Sequence, residues 1–278
     1  MKKKLMLLGM VLCFSLLLQE NSRAEKNYVF GVHPFKSPAK LAKMFKPLQE
    51  YLGQELNAKV NFRSAKDYES ALDALAAGEV DISYLGPALF AIIDKEHPGK
   101  IRIAGAILND GKPTFKGVII ARQDSGINTL EDLKGKRFAF GDRKSTLSCY
   151  MPAYMLMQAG VFEGLNYNFI GSHDNVALGV LKKSFEAGGV KPAVAKQYLS
   201  QGLKIIAESE PVYEHMIVVG PKVTDEDFKK IQTALLTVKD ANIYTSIKQS
   251  ITGFTKVDPS NYDNLKKVIE QVDAKIAK

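Results

Sequence analysis

The sequence predicts an α/β fold, on three observations. From Tyr28 onward, short apolar runs rich in β-branched and aromatic residues alternate with longer amphipathic stretches, the pattern of strands and helices taking turns. Start and stop residues sit at the boundaries, with Asp67 before and Gly78 after one helical stretch and Gly86-Pro87 between a strand and the next helix. Beyond the first 24 residues there is a single cysteine, Cys149, so no intramolecular disulfide is available and an apolar core must hold the chain. Roughly 250 residues suffice for one large or two small domains.

In chain order, Tyr28–Val32 reads as a strand, Pro38–Leu52 as a helix ended by Gly53, and Ala58–Arg63 as the next strand. Asp67 caps a helix that runs through Ala77 and closes at Gly78, followed by a strand over Val80–Leu85 and a helix over Ala88–Asp94. Two further strands, Ile101–Ile107 and Lys116–Arg122, lead to Gln123-Asp124-Ser125-Gly126, a turn-rich stretch expected to carry the chain between lobes. Beyond it come a short helix over Leu130–Leu133, a strand over Arg137–Phe140, a helix over Leu147–Ala159, a strand over Tyr167–Ile170 and a helix over Asp174–Lys183. Leu203–Ala207 is followed by Met216–Gly220, read as a crossing back to the first lobe, and helices near Asp225–Thr237 and Tyr262–Ala277 finish the chain. Ala71-Leu72, Leu75, Val80-Asp81 and Pro87 are echoed by Ala177-Leu178, Leu181, Phe185-Glu186 and Pro192, a weak internal repeat with a one-residue shift.

Residues 1–24 have the build of a secretory signal peptide: Lys2, Lys3 and Lys4, an apolar run over Leu5–Leu18, and a polar end at Ser22-Arg23-Ala24, with cleavage expected after Ala24. Cys13 follows Leu12 and lacks the small neighbour of a lipoprotein cleavage site, and no later apolar run approaches the roughly 20 residues of a membrane span. The mature chain is therefore expected to be exported and soluble, and we expect it as a periplasmic monomer. Cleavage would remove four basic residues and one acidic residue from a formal charge of +8, leaving a moderately basic protein. Its lysines are interleaved with acids, as in Asp225-Glu226-Asp227 with Lys229-Lys230, which describes solvated helix faces and argues against a nucleic-acid partner. A positive field does favour small anions. His33, His97, His173, His215 and Cys149 show no metal-ligand spacing, so neither a metal nor another cofactor is expected.

Three segments carry candidate chemistry. In Phe138-Ala-Phe-Gly-Asp-Arg-Lys-Ser-Thr-Leu-Ser148, Ser145 is placed as a helix N-cap with Thr146 and Ser148 in the first turn. Hydroxyls and unpaired N–H groups at the positive end of a helix dipole suit a tetrahedral oxyanion, although the same residues also make an ordinary cap. Pro152 frees the Ser148 carbonyl and is expected to loosen that turn. Arg143 and Lys144 either approach the anion or solvate the loop. In the second segment, His173 precedes a helix capped by Asp174 or Asn175, where it is either a solvated terminus or a hydrogen-bond donor to an anion. The third, Asp81-Ile-Ser-Tyr-Leu-Gly-Pro87, ends a strand at the position where open α/β sheets bind ligands, with Tyr84 facing either cleft or core. Phe35, in the loop after the first strand, is a cleft wall or a core aromatic.

Taken together, Asp81–Pro87, Asp142 with Ser145-Thr146 and Pro152, and Gly171-Ser172-His173-Asp174-Asn175-Val176-Ala177 resemble the phosphate/phosphite/phosphonate-binding (PhnD-like) periplasmic proteins of ABC transporters. The likeness runs from about Tyr28 to the last helix. It implies a two-lobed periplasmic-binding-protein fold of the type II, Venus-flytrap class, each lobe a mixed sheet flanked by helices. Lobe 1 is expected over 25–122 and 208–278, lobe 2 over 123–207, with hinges near Ala121–Asp124 and Ala207–Val218. The resemblance also implies an oxyanion held by Ser145, Thr146, Ser148 and His173, with Tyr84 and Phe35 contributing from the first lobe, and delivery to an ABC permease. The family's Asp-Pro-x-Ser-Thr-Ser-Gly run stands here as Asp142-Arg143-Lys144-Ser145-Thr146-Leu147-Ser148, which moves one hydroxyl and removes the proline and glycine. Two other readings share these residues. One is a binding protein that signals to a membrane sensor such as a histidine kinase. The other is a hydrolase using Ser145, His173 and Asp142, against which stands the missing Gly-x-Ser-x-Gly elbow.

Overall fold

The computed structural model describes residues 26–276; the expected signal peptide lies outside them. The first half of the chain runs β1 Lys26–Val32, α1 Pro38–Leu56, β2 Ala58–Ser64, α2 Tyr68–Ala76, β3 Ile82–Leu85, α3 Pro87–Glu96, β4 Arg102–Asn109, β5 Thr114–Phe115, β6 Val118–Arg122 and β7 Arg137–Phe140. A π-helical turn, Thr146–Tyr150, leads into α4 Met151–Gln158. The rest comprises β8 Asn166–Phe169, α5 His173–Leu181, β9 Ala187–Val190, α6 Pro192–Tyr198, β10 Leu203–Glu208, β11 Val212–Tyr213, β12 Met216–Val219, α7 Asp225–Thr237, α8 Asn242–Thr245, β13 Ile251–Thr255 and α9 Asp263–Ile276.

Two mixed sheets define two lobes. The first has the order β13-β4-β12-β3-β1-β2 and the second β10-β6-β9-β7-β8. In each, three strands are parallel and the remainder antiparallel: β1 lies parallel to β2 and β3, and β7 parallel to β8 and β9. Apolar side chains cover both faces of each sheet, as with Phe30, Phe45 and Leu48 against the first and Phe138, Phe140 and Leu156 against the second.

The lobe boundaries differ from those read in the sequence. Val118–Arg122, expected in lobe 1, pairs with β9 and β10 inside the second sheet. Gln123 is tied to Gly202 by its N–H, so the turn after it stays within the second lobe. The first crossing is instead β5, while the second, β11, lies within the expected Ala207–Val218 hinge; the two short strands pair antiparallel to each other and form a ribbon between the sheets. α9, expected with lobe 1, spans both lobes: Lys266 and Glu270 pair with Asp94 and Lys95 of α3, while Asp273 pairs with Arg143 and Lys275 with Glu163. Its Leu265, Ile269 and Val272 pack in one cluster with Ala88, Phe138 and Leu156.

Local chemistry explains several elements. Asp67 accepts the Ser70 N–H at 2.8 Å while Ser70 Oγ receives the Asp67 N–H, a reciprocal cap that starts α2. α1 does not stop at Gly53, because Leu41, Phe45, Leu48, Leu52 and Leu56 form one continuous buried stripe. It ends at Asn57, left-handed at φ 47°. Gly53 serves close packing, since a Cβ there would lie 3.0 Å from the Ala58 carbonyl.

Six elements were not read as such in the sequence: β5, β9, α6, β11, α8 and β13. The β9 sequence, Ala187-Gly-Gly-Val190, has little strand propensity, yet the strand is fully buried. A Cβ on Gly188 would stand 2.4 Å from Val176 Cγ1, and one on Gly189 2.4 Å from Pro152 Cγ. Tertiary packing demands glycine at both positions and overrides propensity.

Candidate functional site

The parallel strands place their carboxyl ends at the crevice between the lobes, and the loops that follow them carry the polar residues. A cavity of about 560 Å³ occupies that crevice, walled by His33 and Phe35 after β1, Gly86 after β3, Ser145 and Thr146 after β7, His173 after β8 and Lys191 after β9. Another depression, of about 760 Å³, is a shallow surface feature at Lys26, Gln49 and Asn57, away from these loops.

The Ser145 turn is built from its own backbone. Asp142 accepts the Lys144 N–H on Oδ1 at 2.8 Å and the Ser145 N–H on its carbonyl at 3.0 Å, and Ser145 Oγ accepts the Ser148 N–H at 3.3 Å. Cys149 and Tyr150 both donate to the Ser145 carbonyl, which widens the first turn to π geometry. The Ser148 carbonyl, freed by Pro152, accepts the Gly141 N–H at 2.9 Å. The N–H groups of Thr146 and Leu147, at the first two helical positions, have no acceptor within the helix.

Thr146 Oγ1 accepts the Ala88 N–H across the lobes at 2.9 Å, and its own O–H remains able to donate. Lys36 reaches Asp174 at 2.5 Å, and Lys144 lies 3.7 Å from Glu69, so the lobes meet through polar contacts around the cavity. Ser172, rather than Asp174 or Asn175, caps α5 by accepting the Asn175 N–H. His173 Nδ1 accepts the Lys191 N–H at 3.1 Å. Burial, with the Lys191 charge beside it, holds His173 well below the usual histidine range, so its single proton resides on Nε2.

A ring wall lines the first-lobe side. His33 stacks on Tyr84 with centroids 5.7 Å apart, Tyr84 on His215 at 5.0 Å, and Tyr68 meets His33 edge-on at 4.9 Å. His33 donates from Nδ1 to the Tyr84 carbonyl at 3.1 Å, and burial together with His215 pushes its pKa down to about 3. Burial and the nearby Asp142 raise Tyr68, with Ser145 acting in the opposite direction. Lys191 Nζ sits 4.9 Å from the Phe35 ring centroid, and burial with Lys36 nearby pushes the ammonium down to about 8. Six lysines, Lys36, Lys40, Lys144, Lys191, Lys196 and Lys248, wall the cavity against two acids, Asp110 and Glu214, so the crevice is electropositive.

Of the residues singled out in the sequence, the structure brings Phe35, Tyr84, Ser145, Thr146 and His173 to the cavity. Ser148 is a correction. The loosened turn rotates it into the core, where it is fully buried and its hydroxyl donates to the Gly189 carbonyl at 2.5 Å. Arg143 is drawn off by Asp273 and packs against Tyr150 and Phe169, while Lys144 does line the cavity. The triad geometry is not formed, because the His173 nitrogen that a carboxylate would orient is taken by a backbone N–H. His33, Tyr68, Lys191 and His215 were missed. The internal repeat pointed to Lys191, which precedes Pro192 as Gly86 precedes Pro87, each the N-cap of the helix after a cleft strand. Among the described residues no group of three or more His, Cys, Asp or Glu is arranged to hold a metal, and no helix is long and apolar enough to cross a membrane.

A family model described as ABC transporter, phosphonate, periplasmic substrate-binding protein matches residues 30–262. The phosphate-import protein PhnD of Mycolicibacterium smegmatis is 27% identical over 229 residues, which are 76% of this chain and 70% of that protein. A probable ABC transporter phosphite-binding protein, PhnD1 of Prochlorococcus marinus, is 28% identical over 184 residues, 63% of this chain and 61% of that one. The solved structure of PhnD1 from Prochlorococcus marinus in complex with methylphosphonate superposes with a TM-score of 0.80 at 20% identity, covering 89% of this chain and 98% of that one. That likeness shows the two-lobed fold of periplasmic binding proteins.

Proposed function

The chain belongs to the periplasmic substrate-binding family of phosphonate ABC transporters, and from that premise we propose that it captures a small phosphorus oxyanion between its lobes and delivers it to an ABC permease. It acts as an exported monomer, processed after Ala24, and catalyses no reaction. The observation that carries this reading is that Ser145 and Thr146 at a helix start, and His173 with its Nδ1 already taken by a backbone N–H, line one lysine-walled cavity. Ser145 and Thr146 bind the oxyanion from the second lobe together with His173. Lys191 supplies the nearest counter-charge, and Tyr84 and Phe35 close the wall from the first lobe. Closing the lobes removes water from the anion and strengthens each of these contacts.

The test is thermal unfolding of the protein beginning at residue 25 with phosphate, phosphite, methylphosphonate, aminoethylphosphonate and sulfate, in wild type and Ser145→Ala. A ligand at a hundred times its dissociation constant adds about 2.7 kcal/mol. Stabilisation by a phosphorus oxyanion that the substitution abolishes is the expected result. A folded protein indifferent to the whole panel would sink the reading.

A further inference from the structure

Arg143 stands two residues before Ser145, in the turn that faces the cavity, yet it does not line the cavity itself. Its guanidinium reaches α9 instead, where Nη2 donates to Asp273 Oδ1 at 2.7 Å. The same group lies over two rings, 5.6 Å from the Tyr150 centroid and 5.8 Å from that of Phe169. Tyr150 belongs to the π-helical turn that Ser145 caps, so the guanidinium grips both ends of that turn. Phe169 is the one large apolar side chain exposed among the described residues, and it presents its face to this cation.

α9 is in turn fastened to lobe 1. Lys266 pairs with Asp94 at 2.9 Å and Glu270 with Lys95 at 2.7 Å, both on α3. The second residue of α3 is Ala88, whose N–H donates to Thr146 Oγ1 at 2.9 Å. The three elements therefore close a circuit: the turn meets α3 directly at Thr146 and a second time through α9 at Arg143. Leu265, Ile269 and Val272 of α9 pack in one cluster with Ala88, Ala91 and Tyr150, so the circuit has an apolar filling. When α3 and the turn part, as the lobes open, these contacts cannot all persist.

We propose that Asp273 is a positioning residue for the cleft: acting through Arg143, it fixes the Ser145 turn against α9 and so against lobe 1, and thereby raises the affinity for a ligand held at that turn. The inference rests on the phosphorus-oxyanion reading above for its ligand and adds to it a residue that lies outside the cavity lining.

Two measurements test it on wild type, Asp273→Asn, Arg143→Gln, the double variant and Asp273→Glu. Lys275→Met serves as a control, since it cuts the α9 pair with Glu163 and leaves Arg143 untouched. The first measurement is calorimetric titration with methylphosphonate. The partners' side chains are 33% and 45% exposed, so each single variant of the pair is expected to weaken binding by about two- to fivefold. The double variant should bind no more weakly than either single one, Asp273→Glu should keep most of the affinity, and Lys275→Met should match wild type. Additive losses, or a loss in Lys275→Met as large as that in Asp273→Asn, overturn the proposal. The second measurement is amide hydrogen exchange over residues 142–150 in the ligand-free protein. Asp273→Asn should exchange faster there than wild type, and equal rates overturn the proposal. Exchange needs no ligand. A wild-type protein that binds none of methylphosphonate, phosphite and phosphate therefore defeats the oxyanion reading and the claim on affinity, while exchange still decides whether Asp273 holds the turn.

Discussion

The backbone N–H of Lys191 donates to Nδ1 of His173 at 3.1 Å, joining the end of β9 to the start of α5 across 18 residues of sequence. The bond fixes the imidazole tautomer and leaves Nε2–H as its donor. Lys191 thus acts twice in the cleft, orienting a neutral donor through its backbone and contributing charge through its side chain.

Replacing His173 by alanine removes one oriented donor to an anion while Thr146 and Lys191 remain. Affinity for methylphosphonate is expected to fall by about 1.5–3 kcal/mol, roughly ten- to a hundredfold. Titration calorimetry measures it, and an unchanged affinity would show that the oxyanion does not lie against Nε2.

Lys191 gives the binding a pH signature. Its free-state pKa of about 8 must rise when an anion arrives, so the charged form is favoured in the complex. Affinity is then flat below pH 8 and weakens by up to about tenfold per unit above it. In Lys191→Met the dependence above pH 8 should vanish along with part of the affinity. A wild-type profile that stays level to pH 9.5 contradicts the assignment.

The buried histidines set a limit on acid stability. His33, with a folded pKa of about 3, and His173, held well below its ordinary value, remain neutral in the folded chain while both protonate on unfolding near 6.5. The unfolded state therefore binds more protons below pH 6.5, and stability falls as pH drops through the window from 6.5 toward the folded values. The slope is about 1.4 kcal/mol per pH unit for each histidine that stays neutral, and above pH 6.5 neither contributes. Urea unfolding at pH 7.5, 6 and 5 reads it, and His33→Gln should flatten the slope.

Gly189→Ala tests the packing of β9. The added methyl would stand 2.4 Å from Pro152 Cγ, on the proline that shapes the Ser145 turn. A loss of about 1–3 kcal/mol is expected, together with weaker ligand binding as that turn is displaced. Stability equal to wild type would mean that the second lobe is packed more loosely than its structure shows.

Much of the fold was legible because it is written in local chemistry. The Asp67 cap, the Gly78 stop, Pro87 at the first helical position and the Ser145 cap are decided within one turn of chain. The alternation of strands and helices needs only side-chain periodicity, and five of the six residues expected at the site do reach the cavity.

What local sequence could not decide depends on distant neighbours. Gly188-Gly189 forms a strand because Val176 and Pro152 leave no room for a side chain, and α1 runs through Gly53 because Leu56 continues a stripe whose partner is another layer. Ser148 turns inward because β9 offers it the Gly189 carbonyl. The first lobe crossing falls at Thr114–Phe115 and not at the Gln123 turn, because that segment pairs with Val212–Tyr213, about a hundred residues away. Lys191 gains meaning from the groups facing it across the cleft. The sequence by itself determined the α/β alternation, the helix caps and the strand-end placement of Ser145 and His173. The tertiary structure alone decided which charges face the cavity, because burial and opposing partners are properties of the packed lobes.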